Sequence, residues 1–409
     1  MTDYGKKITF SDFFSEGQFE TQVETLDVSQ KKESITIGIP LETTVGEYRV
    51  PLVPNSIRTL VGYGHNILIE SGAGNHSKFT DHAYSEAGAQ IVHSKDEIFK
   101  CNVVLKVAPP TLEEIDLFSS DQILISPLHF PILSQEYLQK LKQKRVTAIA
   151  MEYLQAEDGS YPVVRIVSEI AGMQSILTAA DLLSKTKGGR GTLLGGISGI
   201  PPSKVVILGA GVVGEFATKT ALGLGASVRV FDNDIAKLMR LQSSVGRQLH
   251  TSVINPVYLG YQLVSADVVI GAFHSKTGRV PVLVTEEMVK NMKEGSVIID
   301  ISIDQGGVFE TSELTTLEKP TFVKHGVIHH CVPNIASKVS RTGSIAISNV
   351  IMPLLLRIGS TLNMESILYQ RKGIRNGVYM YKACLTNEYL SKRFKMKYTS
   401  LDLLLASKF

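Results

Sequence analysis

One stretch constrains the fold of this chain more than any other: KVVILGAGVVGEFATKTALGLGASVRVFDND, beginning at Lys204. Val205 to Leu208 are β-branched or aliphatic throughout, as a strand buried on both faces requires. Glycines follow at 209, 211 and 214, then a helical run rich in small residues, then a second apolar strand that ends at Asp232. Glycine spacing by itself is common. The strand before it, the helix after it and the acid closing the next strand are the context that marks a dinucleotide site. Gly209 permits the tight turn, Gly211 lets the backbone approach a pyrophosphate, and Gly214 lets helix and strand pack closely. The turn from Gly209 through Gly211, Val212 and Val213 to Gly214 then presents free N–H groups and the positive end of a helix to phosphate. Asp232 is expected to accept hydrogen bonds from the adenosine ribose and to repel a 2′-phosphate, which favours NAD over NADP. Lys237 is expected either to pair with Asp232 or to lie over the adenine. Flavin proteins use the same fingerprint, usually near the N-terminus; here it lies mid-chain, which favours a nicotinamide cofactor.

The rest of the chain repeats the alternation of short apolar runs with longer amphipathic ones. ITIGIP, NILIES, VVLKVA, QILIS and VTAIAME read as strands, with SQEYLQKLKQK a helix capped by Ser134. A second series, KVVILGAG, SVRVFDN, HTSVIN, ADVVIGA and SVIIDIS, begins after Pro201-Pro202. A helix over Ser168 to Leu183 is predicted to cross between the two. After Ser340 the pattern returns to helix and then to a polar C-terminal segment. Such alternation predicts parallel sheets covered by helices.

Bulk properties narrow the function classes. A chain of 409 residues is too long for one ordinary core. A net charge of +3 offers no strong attraction to nucleic acid or to an anionic membrane. Three scattered cysteines (Cys101, Cys331 and Cys384) suit a reducing compartment and make neither a disulfide framework nor a metal cluster. The first residues carry no apolar core of a signal peptide, and Ile345 to Leu356 reads as too short and too polar to span a bilayer. A cytoplasmic location is therefore expected.

With the nucleotide unit placed, the surrounding segments resemble the alanine dehydrogenase family and the related first domain of proton-translocating transhydrogenase. GIPLETTVGEYRVPLVP, ESGAGNHSKFTDHAYSEAGA, LKVAPP, SPLHF, SEIAGMQ, GGRGTLLGGISG, LGAGVVG, VIIDISIDQGGVFE and CVPNIAS carry the resemblance from Ile35 onward. SEIAG and IDQGG lean toward the dehydrogenase branch. The resemblance implies two Rossmann-like α/β domains with parallel sheets covered by helices and the active site in the cleft between them. Residues 1–34 would be an extension, 35–162 plus 343–409 a discontinuous substrate domain, and 163–342 the NAD-binding domain. It further implies that Arg49 holds a substrate carboxylate, that His129 moves protons, and that Asp304 stabilises the developing imine. Ser168 and Asn334 would line the cofactor site. Asp300 is the rival acid, read as structural from its place inside a strand.

One departure concerns the substrate. Where the family has a second lysine after Lys-Val, this chain has Ala108. Lys106 lies two residues earlier on the same strand face, roughly 6–7 Å away, and is the expected substitute cation; Arg165 is a second candidate. The implied activity is NAD-dependent, reversible oxidative deamination of a small L-amino acid, L-alanine in the family's own reaction, with a 2-oxo acid and ammonia in reverse. The alternatives are a relative acting on another 2-oxo acid, a nucleotide-binding subunit of a membrane transhydrogenase, and a non-catalytic NAD sensor. The resemblance also implies a homo-oligomer, most often a hexamer, with no metal.

Overall fold

The structure is a computed structural model that describes residues 34–128, 133–275, 278–361 and 364–406. The N-terminal extension up to residue 33 lies outside the described residues, as does His129.

The first sheet contains β1 (Thr36–Ile39), β2 (Asn66–Glu70), β3 (Gln90–Val92), β4 (Val103–Leu105), β5 (Ile123–Ser126) and β6 (Thr147–Ala150). They lie in the order β3-β2-β1-β4-β5-β6, all parallel. The second contains β7 (Lys204–Leu208), β8 (Ser227–Phe231), β9 (His250–Ser252), β10 (Val268–Gly271), β11 (Val297–Asp300), β12 (Thr321–Lys324) and β13 (Val327–His330). Its parallel strands run β9-β8-β7-β10-β11-β13, and β12 pairs antiparallel on the outer edge. Both sheets therefore wind 3-2-1-4-5-6, the Rossmann order. The expected fold class of two Rossmann-like α/β units is borne out.

Alternation along each strand explains the layering. Val103 and Leu105 face one apolar core and Val104 faces another on the opposite side of the first sheet. Val205 and Ile207 do the same against Val206 and Leu208 in the second. All seven of these side chains are fully buried, each contributing about 1.5–3 kcal/mol by leaving water.

Two helices join the sheets. The first, Pro162–Leu182, begins six residues before the predicted start, because Pro162 occupies a first-turn position that needs no N–H donor. The second, Ser340–Thr361, returns the chain to the first sheet. Beyond it β14 (Val378–Tyr381) pairs antiparallel with β6, and β15 (Cys384–Leu385) with β14. These edge strands fall in the segment that reads as merely polar. By length and composition alone, Pro162–Leu182 and Ile335–Ile358 are apolar enough to cross a membrane, a property that buried core helices share. Ile176 and Ala179 of one are nevertheless packed into the core of the second sheet, and Ile351 and Leu355 of the other into that of the first.

Candidate active site

In sheets of this winding the central pair of strands sends its connections to opposite faces and leaves a crevice at the carboxyl ends. That crevice falls between β1 and β4 in the first sheet and between β7 and β10 in the second. Chain leaving β1 carries Glu42, Glu47 and Arg49, and chain leaving β4 carries Lys106 and Ala108. The glycine turn leaves β7, Asp232 follows β8, Asp304 follows β11 and Asn334 follows β13. The sequence-predicted residues that the structure describes, apart from Ser168 on the connecting helix, thus cluster at the carboxyl edges of the two sheets or just beyond them.

The turn after β7 fits a pyrophosphate. Gly209 has φ of 113°, and a Cβ there would meet the Ala272 carbonyl oxygen at 2.5 Å. A Cβ on Gly214 would lie 1.9 Å from the Gly209 carbonyl oxygen, so helix Val212–Gly223 comes this close to the end of the strand only because residue 214 has no side chain. Gly211 is different: space beside it is open within 4 Å, on the residue that caps the helix without a side-chain bond. Open room and uncapped N–H groups at a helix start are what an anionic group needs. Val212 and Val213 form the first turn behind it.

Asp232 is buried at the end of β8. Its Oδ2 accepts from the Ala210 N–H at 2.8 Å and its Oδ1 from the Asp234 N–H at 2.8 Å. Each oxygen retains a further lone pair for a ribose hydroxyl. Lys237 does not pair with Asp232 as one expectation had it. Asp234 caps its helix, and the Lys237 Nζ sits 4.0 Å from the Asp234 Oδ2, an exposed contact one turn away.

Arg49 is buried and held by Glu47. Its Nε donates to Glu47 Oε1 at 2.7 Å and its Nη2 to Oε2 at 2.6 Å. Its stem lies on Gly343, where a Cβ would come within 2.8 Å of Arg49 Cδ. The Asn334 Nδ2 donates to the same Glu47 carboxylate at 2.6 Å, and the Ser337 Oγ accepts from the Tyr48 N–H at 2.8 Å. Asn334 adopts φ of 59°, a left-handed conformation asparagine tolerates better than most residues. Glu47 and Ser337 had no role in the sequence reading; the alternation that puts Glu47 on the side of Arg49, two residues on, was the available signal.

Lys106 is a correction. Its ammonium is 1% exposed and lies 2.9 Å from Glu42 Oε2 and 3.3 Å from Glu114 Oε2. Burial opposes its charge, but Glu42 and then Glu114 outweigh burial and raise its pKa above the usual lysine value. A cation committed to two carboxylates cannot also serve as the substitute for the lysine missing at Ala108. Arg165 is half-exposed on the connecting helix and pairs with Glu169 at 3.0 Å.

Asp300 and Asp304 divide as their positions suggest. Asp300 is buried and accepts from Ser302 N–H, Val308 N–H and Ser312 Oγ. Burial pushes it up to about 6 against these bonds. Asp304 is exposed in the turn Ile301–Gln305 just beyond β11. Ser168 is half-buried on helix Pro162–Leu182. The chain entering His129 is fixed by Leu128, whose N–H donates to Glu152 Oε1 at 2.7 Å. A cavity of about 450 Å³ opens beside Asn102, Gln122 and Thr147, but at the amino ends of the strands, away from all of these groups.

Two like-wound sheets, one edged by an open glycine turn and the other by a buried arginine, define a two-lobed Rossmann-type oxidoreductase. The pattern described as alanine dehydrogenase/PNT, N-terminal domain, matches residues 38–171, and that of the C-terminal domain matches residues 175–388. The chain belongs to the alanine dehydrogenase/PNT family. It is 40% identical over 368 residues to alanine dehydrogenase 2 of Staphylococcus aureus strain USA300, covering 90% of this chain and 98% of that one. A solved L-alanine dehydrogenase superposes with a TM-score of 0.83 at 36% identity, covering 88% of this chain and 99% of that one. A transhydrogenase from Sinorhizobium meliloti shares the fold, with a TM-score of 0.74 at 23% identity over 86% of this chain and 99% of that one.

Proposed function

We propose that this chain is an NAD-dependent amino-acid dehydrogenase that interconverts L-alanine, NAD⁺ and water with pyruvate, ammonium, NADH and a proton. The observation that carries the reading is the pairing of a fixed arginine on one lobe with an open glycine turn on the other. The named alanine dehydrogenases it resembles support it. When bound, the nicotinamide supplies the hydride acceptor, or the donor in reverse. Arg49 holds the substrate carboxylate, because a guanidinium forms parallel charge-assisted hydrogen bonds with one. His129 moves protons as water and ammonia exchange at the substrate α-carbon; an imidazole suits this near neutral pH. Asp304 holds negative charge near the developing imine, and Asp232 accepts from the adenosine ribose and disfavours NADP. The working form in this reading is a homo-oligomer in the cytoplasm.

Ala108 favours a second reading within the same chemistry, a 2-oxo acid other than pyruvate. With Lys106 buried, the substrate side lacks one cation relative to the family pattern. The test is an NAD-coupled assay over L-amino acids, and over 2-oxo acids with and without ammonia. Turnover of L-alanine is expected, and NADH oxidation with pyruvate should require ammonia. Firm NADH binding with no turnover across the panel would sink the reading. Ala108→Lys should lower the KM for pyruvate about tenfold if the missing cation limits binding, and should leave it unmoved if another 2-oxo acid is the true partner.

A further inference from the structure

The clamp residue that a substrate would meet is not free to turn, and the group that fixes it also joins the lobes. Glu47 occupies the Nε and one Nη2 hydrogen of Arg49 in a bidentate pair, with both residues buried. A guanidinium has five N–H donors in a rigid plane. Among the described residues the remaining end face, made by Nη1 and the second Nη2 hydrogen, is uncommitted. That face can receive a carboxylate in two parallel bonds only while the plane is held. The Glu47 carboxylate is itself fixed from the segment after β13, by the Asn334 Nδ2 at 2.6 Å and more distantly by the Ser337 Oγ at 3.4 Å. The Glu47 backbone belongs to the connection leaving β1, so its carboxylate ties the edge of one sheet to the edge of the other.

We propose that Glu47 is the positioning residue of this enzyme: it sets the Arg49 plane so that the end face receives the substrate carboxylate, and through Asn334 it makes that setting depend on the nucleotide lobe. The inference rests on the dehydrogenase reading for the identity of the substrate, but not for the geometry. A second carboxylate beside an arginine would ordinarily compete with substrate. Here it takes the side of the fork and leaves the end, so the two acids share one guanidinium without displacing each other.

The test uses full-length protein with oxamate, a non-reacting analogue of a 2-oxo acid, titrated calorimetrically in the presence of saturating NADH. Glu47→Gln keeps the shape but removes the charge and one acceptor. It should weaken oxamate about tenfold or more, while NADH affinity without oxamate changes much less. Glu47→Asp keeps the charge but is one methylene too short to span Arg49 and Asn334, and should fall between. In steady state the Glu47→Gln change should appear mainly in the KM of the 2-oxo acid rather than in that of NADH. Asn334→Ala, which removes one bond to Glu47, should weaken oxamate about threefold and carries the test if Glu47→Gln does not fold. Unchanged oxamate affinity in the folded variants overturns the proposal, as does a wild-type protein that binds NADH but no oxamate. Oxamate binding that responds to Glu47 in a protein that turns over no amino acid upholds it while sinking the dehydrogenase reading.

Discussion

The two lobes share one strand order and present opposite kinds of chemistry at the same edge. Beyond β7 in the second lobe, the site is backbone: glycines, a bare helix start and an open volume beside Gly211. Beyond β1 and β4 in the first, it is side chains: Arg49 on Glu47, and Lys106 between Glu42 and Glu114. A winding decides where a site lies, and the chain leaving each strand decides what it does. The backbone site admits no added atom at Gly209 or Gly214 and leaves room only beside Gly211, whereas the side-chain site depends on charge balance.

That difference can be broken at four places. Gly214→Val forces a branched side chain into the Gly209 carbonyl, 1.9 Å from the first added carbon. It should remove NADH binding and cost about 4 kcal/mol or more of stability, read by fluorescence titration and chemical unfolding. Lys106→Met strands Glu42 and Glu114 in the interior. It should lower stability by about 3–5 kcal/mol, with the KM for the 2-oxo acid nearly unchanged in the folded fraction; a raised KM at full stability would restore Lys106 to the substrate site. Asp300 has a folded-state pKa raised to about 6 from an unbonded value of 3.8. Its contribution is therefore full below about pH 4 and is lost as pH rises through 6, by ~3 kcal/mol. Denaturation curves of wild type and Asp300→Asn should diverge across that window, and a constant offset would refute the shift. Gly211→Ala has room for its methyl, so its melting temperature should hold while NADH weakens about tenfold. A parallel loss of stability would show that Gly211 serves packing instead.

The same contrast explains what the sequence disclosed. The glycine turn was readable because each glycine answers a local demand of φ or close approach, and those demands travel with the motif. Long β-rich runs disclosed ten of the strands in the same way. Five strands were missed: Gln90–Val92, Thr321–Lys324, Val327–His330, Val378–Tyr381 and Cys384–Leu385, each of two to four residues and all at or next to a sheet edge. Lys106 misled because its two partners stand at positions 42 and 114, and a carboxylate that folds onto a lysine leaves no mark at the lysine itself. Glu47 was adjacent in sequence, but its link to Asn334 spans 287 residues and exists only once both sheets have formed.

The return of the chain to the first sheet has a temporal side. On the ribosome, every strand of the second sheet has been made by His330, whereas the first sheet still lacks β14, β15 and the helix whose Ile347, Ile351, Leu354 and Leu355 cover its core. The lobe begun first is therefore the last to be sealed, and its apolar face stays open to misassociation through most of synthesis.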